Sequence, residues 1–356
     1  MIAVRGNTKY GPAGLYTPDS FSNLNLPPEI RSTLASTANQ AICQKSWSSY
    51  KTAMKMLERC LAEHGEQPSL PLPERQVALF VAWMLNRDLS AKTIRAYLSA
   101  LKTMHTTRGM KPPEMRSPII QHVLTGRENA ENRDKKNGQK KIRLPMTPDL
   151  MLVLKKLIIK ADLGKEDKNC YWSAVTLAFA GGFRMSELLC KKSTEYDPDY
   201  CLLTQDIVLK SPADGKASLQ VKIKCDKTNK THLAVEVDIF SSGSSICPVK
   251  AYKKYAACTN RESGHPAFRL RSGAALTAKK LNTFLKNNLT PYLGGLNGFI
   301  SSHSFRIGIS SLLANSGMST EELKCIGRWS SSAYEFYLKL PRTSRLRLAE
   351  RISTMI

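Results

Sequence analysis

The chain of 356 residues is long enough for two domains, each of which can bury its own hydrophobic core. Lysine and arginine outnumber aspartate and glutamate by 53 to 29, and the resulting formal charge of +24 favours a polyanionic partner, most simply nucleic acid. Nine scattered cysteines without a C-x-x-C pair argue against a disulfide framework or a zinc site, and no apolar run is long enough to cross a bilayer, so we expect an intracellular protein with reduced thiols and no membrane partner.

The N-terminal part of the chain changes character at residue 27. Residues 1–26 are rich in Gly, Ser, Asn and Pro without sustained periodicity, which predicts a flexible arm. Residues 27–125 show apolar residues at helical spacing, and a last short segment has Ser117 as its cap and Pro118 at its first helical position. The pattern predicts a bundle of four or five helices with short connections.

Basic residues concentrate in two stretches near this bundle. Lys92, Arg95 and Lys102 share one stripe of the third predicted helix, which can lie along a DNA backbone, although a charged stripe is more often a solvated face. Residues 126–145 are polar and basic without apolar periodicity, which predicts an interdomain linker that either follows phosphates or is simply solvated. The basic residues of this linker are Arg127, Arg133, Lys135, Lys136, Lys140, Lys141 and Arg143.

The second predicted domain, residues 146–340, combines helices with one hairpin. A buried helix breaks at Gly181 and Gly182 and resumes after Arg184, in the pattern A-x-G-G-F-R-x-S-E-L. Residues 206–239 alternate apolar and polar side chains with period two, which predicts paired strands. The loop between these strands carries Lys224, Lys227 and Lys230.

The segment HSFRIGISSLLANSGMSTEELKCIGRWSSSAYEFY, which begins at His303, contains the densest group of reactive side chains. Its apolar spacing and capping residues predict helix, turn, helix, corner and helix. His303 and Arg306 lie three residues apart at its start, and Trp329 lies in a Gly-Arg-Trp corner. Tyr334 and Tyr337 are spaced to share one face of the last helix. These are residue types suited to binding and attacking a phosphate.

Together these motifs resemble the tyrosine recombinase (phage integrase-like) family, which carries R-x-x-E, a hairpin lysine, H-x-x-R, a G-H/W corner and a nucleophilic tyrosine eight or nine residues later. The residues that match in family order are Arg184 with its supporting Glu187, Lys227, His303, Arg306, Trp329 and Tyr337. Tyr334 follows Trp329 too closely for this spacing. Lys227, in D-K-T-N, matches the hairpin lysine better than Lys224, which remains the alternative. The string GRWSSSAYEFYL is most similar to recombinases of Crypton and DIRS/Ngaro mobile elements.

The resemblance implies a mainly α fold with a small β-hairpin or sheet. An N-terminal helical core-binding domain would clamp DNA opposite a C-terminal mixed α/β catalytic domain. Arg184 and Arg306 would hold the scissile phosphate with planar, permanently charged guanidinium groups, assisted by His303 and Trp329. Tyr337 would form a covalent 3′-phosphotyrosine bond, with a hairpin lysine protonating the leaving oxygen. Because the ester is exchanged, no metal, nucleotide or other cofactor is expected.

The same resemblance suggests the partners. Double-stranded DNA is the expected substrate, with a homodimer on each site and a tetramer in the synapse. Residues 341–356 are predicted to form a short basic amphipathic helix, which either packs on its own domain or is exchanged between protomers. The likeness to eukaryotic mobile elements implies a nuclear location, and without that likeness the expectation is only intracellular.

Two other functions fit part of the pattern. Residues 307–326 contain helix, turn and helix, which is typical of regulators, so a non-catalytic, domesticated sequence-specific DNA-binding protein is one alternative. A pure DNA reader does not need Arg184, His303, Arg306 and Tyr337 together. A type IB topoisomerase shares the chemistry but relaxes supercoils as a monomer. The string GRWSSSAYEFY and the exchangeable C-terminal helix favour a recombinase for integration, excision or transposition.

Overall fold

The structure, a computed structural model, divides the chain into two units, one of residues 7–140 and one of residues 1–6 with 141–356. It describes residues 3–4, 16–41, 44–114, 117–137, 141–211, 215–224, 234–260, 262–293 and 298–328. The described chain is mainly helical with small sheets, as predicted. In this part of the chain, no helix combines the length and apolar character needed to cross a membrane.

The unit of residues 7–140 is a helical bundle. Its helices are α1 (Pro28–Asn39), α2 (Gln44–Glu63), α3 (Glu74–Asn86), α4 (Ala91–Thr107) and α5 (Pro118–Lys136). The apolar stripes of α2, α3 and α4 meet in one core that includes the buried Leu57, Phe80, Ile94 and Leu101. The Ser90 hydroxyl caps α4 by accepting from the Thr93 amide at 3.2 Å. The helical spacing of the sequence therefore identified the buried faces of this unit.

Part of the predicted N-terminal arm is ordered against the bundle. Residues Pro18–Leu24 form a 3-10 helix, with proline at the first position. The Ser20 hydroxyl donates to the carbonyl of Thr107, at the end of α4. Tyr16 and Asn39 also exchange two hydrogen bonds, of 2.8 and 3.0 Å. The sequence analysis did not predict this 3-10 helix, because polar contacts hold it without an apolar pattern; the flexibility of the arm stays a prediction.

Helix α5 continues through residues 126–136, which the sequence analysis assigned to the linker. Polar contacts hold this part of the helix to the bundle. Arg127 pairs with Asp88 and lies 3.2 Å from Glu131, and Glu131 accepts from the Ala91 amide at 2.8 Å. The sequence analysis did not predict this helical extension, because these ion pairs take the place of the apolar stripe by which a helix is recognised in the sequence.

The unit of residues 1–6 and 141–356 is built from helices around one core. Its described helices are α6 (Pro148–Lys160), α7 (Lys165–Ala180), α8 (Met185–Leu188), α9 (Pro248–Ala256), α10 (Ala278–Leu289), α11 (Ser302–Asn315) and α12 (Thr320–Gly327). Helix α7 is buried along most of its length, and the surrounding core includes Leu154, Phe268, Leu285 and Phe305. This nearly continuous burial explains why α7 reads as an apolar run rather than as an amphipathic helix.

Three small sheets complete this unit. Their strands are β1 (Ala3–Val4), β2 (Ile142–Arg143), β3 (Glu195–Tyr196), β4 (Ile207–Lys210), β5 (Ser218–Ile223), β6 (Val235–Phe240) and β7 (Gly298–Phe299). Strands β4, β5 and β6 form an antiparallel sheet, in which Leu219 pairs with Leu209 and Ile239. Strand β1 pairs with β3 and β2 pairs with β7, both in parallel. The period-two alternation thus identified strands β5 and β6.

One pair of cysteines departs from the expected reduced state. Cys190 and Cys201 form a disulfide with their Cα atoms 5.7 Å apart. The bridge lies in a small buried cluster with Tyr196, Leu203 and Ala275, close to the C-terminal end of α8. A separation of 11 residues matches no cysteine motif, so spacing alone did not reveal this bridge.

Candidate active site

The loop between α7 and α8 places Arg184 beside the core. Gly182 has φ +55°, in the left-handed region that glycine adopts without strain. A Cβ atom on Gly181 would lie 2.2 Å from the Phe183 ring, so this position also requires glycine. Phe183 is fully buried and anchors the loop, and the Arg184 side chain keeps 15% exposure. The G-G-F-R pattern therefore has a steric reason.

Glu187 is the buried carboxylate of the site, with a side chain only 2% exposed. Its Oε1 accepts from Arg184 Nη1 at 2.9 Å, and its Oε2 accepts from the Arg184 amide, also at 2.9 Å. Arg328 Nη2 donates to the same Oε2 at 2.9 Å. One carboxylate therefore orients two guanidinium groups and caps the first turn of α8.

Helix α11 brings the second arginine motif to the same loop. The Ser302 amide at its start donates to Asn282 Oδ1 of α10 at 2.7 Å, which satisfies one free amide of the first turn. His303 lies partly buried in this turn. Arg306 is 1% exposed and donates through Nη1 to the Gly182 carbonyl at 2.7 Å and through Nη2 to the carbonyl of Gly327. Arg306 thus joins the Arg184 loop to the end of α12.

Helix α12 ends at the site. Its start has the predicted capping box, in which the Ser319 amide donates to Glu322 Oε2 at 2.7 Å and the Glu322 amide donates to Ser319 Oγ at 3.2 Å. The bonds to the Ser319 backbone and side chain lower the pKa of Glu322. The helix ends at Gly327, and Arg328 then adopts the left-handed conformation, with φ 52° and ψ 48°.

Arg328 is the site residue that the sequence analysis missed. Besides its bond to Glu187, it donates through Nη1 to the Gly181 carbonyl at 3.3 Å, and its guanidinium lies 4.8 Å from the centre of the Phe183 ring. Its side chain is 12% exposed. A sequence signal did exist, because Arg328 directly follows the glycine of the corner motif and precedes Trp329.

Lys224, the alternative hairpin lysine, is held within the protein. Its Nζ lies 2.7 Å from Asp206 Oδ2 and donates to the Pro198 carbonyl at 3.1 Å. Lys227, the preferred candidate, lies outside the described residues, as do Trp329, Tyr334 and Tyr337 and the predicted helix of residues 341–356. Of the predicted catalytic residues, the structure therefore brings together Arg184 and Arg306, with the supporting Glu187, and places His303 on the helix that carries Arg306.

The predicted DNA-binding residues fall into distinct environments. Lys92 and Lys102 are exposed on α4, whereas Arg95 pairs with Glu128 at 2.7 Å. Arg127 is bound by Asp88 and Glu131, as described above. Arg133, Lys136, Lys141 and Arg143 are exposed, and Arg143 lies 5.4 Å from the centre of the Phe299 ring. The side chains of Lys135 and Lys140 lie outside the described part of the chain.

The charges of the site favour an anionic ligand. The guanidinium groups of Arg184 and Arg328 both bind the carboxylate of Glu187, and that of Arg306 donates to the Gly182 and Gly327 carbonyls beside them. Oxyanions such as phosphate match the planar fork of an arginine, which can donate two parallel hydrogen bonds to them. Within the described residues, no three or more His, Cys, Asp or Glu side chains group as metal ligands would.

Comparison with known proteins supports the same architecture. Residues 37–107 match the model of the phage integrase N-terminal SAM-like domain family. Among solved structures, the Tn1549 transposon integrase in complex with transposon right end DNA is similar, with 16% identity and a TM-score of 0.56 over 88% of this chain and 95% of that one. No curated protein sequence matches significantly.

Two further solved structures are similar over most of the chain. The XerH site-specific recombinase, in a post-cleavage complex with its palindromic difH substrate, has 13% identity and a TM-score of 0.59 over 98% of this chain and 91% of that one. A lambda integrase dimer bound to a COC′ core site has 15% identity and a TM-score of 0.55 over 85% of this chain and 90% of that one. The chain has the fold of the tyrosine recombinases. In this tyrosine recombinase fold, the SAM-like match ends with the last residue of α4.

Proposed function

We propose that the chain is a site-specific DNA recombinase that cuts and rejoins strands through a covalent bond between Tyr337 and a 3′-phosphate. The observation that carries this proposal is the bond from Arg306 Nη1 to the Gly182 carbonyl, across 124 residues of sequence. It joins the two arginine motifs, whose guanidinium groups form the proposed anion-binding cluster. Such a cluster is the arrangement that attack on a phosphodiester requires, because negative charge builds up on the phosphate oxygens in the transition state.

The reaction proceeds by exchange of one ester for another. Tyr337 Oη attacks phosphorus, its proton passes to His303, and the bond from phosphorus to the 5′-oxygen breaks. The arginine cluster stabilises the charged transition state and favours ionisation of a phenol whose ordinary pKa is about 10. Lys227 protonates the departing 5′-oxygen. The 5′-hydroxyl of a partner strand then reverses these steps and releases the tyrosine.

Lys227 is the better candidate for the general acid because Lys224 has another role. The ammonium of Lys224 is bound by Asp206 Oδ2 and the Pro198 carbonyl, so it would have to leave both partners to reach DNA. Asp206 is itself buried and accepts from the Leu203 amide at 2.8 Å. This arrangement fits a residue that holds the base of the hairpin rather than one that transfers a proton.

The biological setting is also a proposal. The likeness of GRWSSSAYEFYL to Crypton and DIRS/Ngaro recombinases supports integration or excision of a eukaryotic mobile element, and hence a nuclear location. The lambda integrase structure contains a dimer on its core site, which supports a dimer on each site of this protein. A tetramer of two such dimers in the synapse is part of the same proposal.

A covalent trapping assay tests the chemistry. Nicked duplexes tiled across the DNA that flanks the coding sequence are incubated with protein in EDTA without ATP, and adducts are resolved on a denaturing gel. We expect an adduct with wild type and Tyr334→Phe but none with Tyr337→Phe. Arg184→Ala should cut on the order of a hundredfold more slowly, by analogy with the loss of one preorganised transition-state donor.

Each other result of this assay has a defined meaning. An adduct that is lost only in Tyr334→Phe would move the nucleophile to that residue. No adduct on DNA that the protein nevertheless binds tightly would overturn the proposal in favour of a non-catalytic DNA-binding protein. Recombinant products from two labelled duplexes distinguish strand exchange from a topoisomerase, which reseals only the original partners.

A further inference from the structure

Arg328 connects two parts of the site that are distant in sequence. It is the first residue after α12 and stands nine residues before Tyr337. Its Nη2 reaches Glu187 Oε2 at 2.9 Å across 141 residues, and its Nη1 reaches the Gly181 carbonyl across 147 residues. We call residues 328–337, which end at Tyr337, the tyrosine-bearing segment. Its first residue, Arg328, is therefore attached directly to the loop that carries Arg184.

The contacts of Arg328 are those of a fixed side chain rather than a solvated one. The guanidinium lies over the Phe183 ring and is largely buried. Its planar fork donates to Glu187, to the Gly181 carbonyl and to the Ile326 carbonyl, a set of bonds that a lysine ammonium group can reproduce only in part. The Arg328 backbone also adopts a left-handed conformation, which non-glycine residues keep only where surrounding contacts compensate.

Glu187 binds both Arg184 and Arg328. The same Oε2 accepts from the Arg184 amide and from Arg328 Nη2, and Oε1 holds the Arg184 guanidinium. A shift of Arg328 therefore changes the orientation of the carboxylate that positions Arg184. Arg328 and the first arginine motif are thus joined through one buried carboxylate.

We propose that Arg328 is a positioning residue, which through Glu187 fixes the start of the tyrosine-bearing segment relative to Arg184. The inference rests on the proposed function, because it assigns to Arg328 the alignment of the nucleophile with the phosphate clamp. Misplacement of reacting groups by about 1 Å can slow a reaction by on the order of a hundredfold without weakening substrate binding. Arg328 should therefore affect the cleavage rate and leave DNA affinity unchanged.

The test compares cleavage and binding in matched variants. Arg328→Ala, Arg328→Lys, Glu187→Gln and the double variant Glu187→Gln/Arg328→Ala are assayed for cleavage at saturating nicked duplex and for binding by fluorescence anisotropy. Arg271→Ala is the control, because Arg271 forms an exposed pair with Glu166 in the same unit, at 3.8 Å. Circular dichroism establishes that each variant is folded.

We expect Arg328→Ala to cleave on the order of a hundredfold more slowly, with an unchanged Kd, and Arg328→Lys to recover part of the rate. In the Glu187→Gln background, replacing Arg328 with alanine should lower the cleavage rate little further, because Arg328 acts through that carboxylate. Arg271→Ala should behave as wild type.

Several results would overturn the inference while leaving the proposed function intact. These are wild-type cleavage by Arg328→Ala, a defect confined to Kd, or a double variant whose defect is the product of the single defects. If Arg328→Ala does not fold, the same test uses Arg328→Lys. Its cleavage rate should be below that of wild type, and adding Glu187→Gln should lower it little further. Absence of an adduct with wild type would instead reject the proposed function.

Discussion

At the scale of single residues, Gly308 determines how closely α11 approaches the segment before α6. A Cβ atom at this position would lie 1.8 Å from the carbonyl oxygen of Met146. The Met146 amide donates to the Ser304 carbonyl at 2.9 Å, so the two backbones are in direct contact. Because α11 carries His303 and Arg306, this close packing also fixes the second arginine motif.

Gly308→Ala should destabilise the protein by about 1–3 kcal/mol, because the added methyl group forces α11 away from Met146. Urea unfolding measures the change. Gly126→Ala is the matched control, because Gly126 lies on α5 where an added Cβ atom would meet nothing within 4 Å, so alanine there should stabilise by up to about 1 kcal/mol. Equal effects of the two substitutions would contradict the packing argument.

The residue scale also explains what the sequence could and could not predict. Arg184, Glu187 and Arg306 were predicted as site residues because each belongs to a short motif whose spacing is visible in the chain, and the structure places these three residues around one loop. Arg328 was missed, since its partners lie more than 140 residues away and no periodicity links them. The corner motif is defined by Trp329, and the motif alone assigns no role to the arginine beside it.

At the scale of elements, a glutamate joins α2 to α3. Glu63 Oε2 accepts from Trp83 Nε1 at 2.7 Å and from Arg87 Nη2 at 2.6 Å, and its Oε1 accepts from Arg59 at 3.0 Å. Arg87 in turn lies 3.7 Å from the centre of the Trp83 ring. The bond from Trp83, with those from the two arginines, lowers the pKa of Glu63 below its ordinary value of 4.5.

The lowered pKa makes the stability of the helical bundle depend on pH. Because the folded state favours the ionised carboxyl, the contribution of Glu63 is present above pH 4.5 and is lost as the pH falls through the lower folded-state pKa. Thermal melts across this acidic range should show a smaller loss of Tm for Glu63→Gln than for wild type. Glu58→Gln, at an exposed position of α2, is the control and should follow wild type.

Elements were predictable where apolar spacing defined them. The stripes of α2 to α4 and the alternation in β5 and β6 predicted helices and strands. The second half of α5 was not predicted, because Arg127 and Glu131 hold it by ion pairs and hydrogen bonds that leave no apolar pattern. The 3-10 helix of residues 18–24 was missed for a related reason, since Ser20 attaches it through a backbone carbonyl.

At the scale of the whole molecule, the net charge of +24 does not say which basic side chains are available to a polyanion. Helix α4 exposes Lys92 and Lys102 on a face whose other members include the small Ala96 and Ser99, which allow a close approach. Arg127, in contrast, is 18% exposed and is bound by Asp88 and Glu131. The structure thus separates residues that composition alone treats as equivalent.

This separation predicts different salt dependences of DNA binding. If Lys92 and Lys102 each neutralise one phosphate, replacing both with alanine should reduce the slope of log Kobs against log salt by about 2, because each contact contributes about 0.9. Arg127→Ala should leave the slope unchanged and lower the Tm, because it removes the contacts that fix α5 to the bundle. Anisotropy titrations of a labelled duplex over a range of KCl concentrations measure the slopes. An unchanged slope for the double lysine variant would remove α4 from the DNA interface. A reduced slope for Arg127→Ala would mean that this arginine exchanges its carboxylate partners for phosphate when DNA binds.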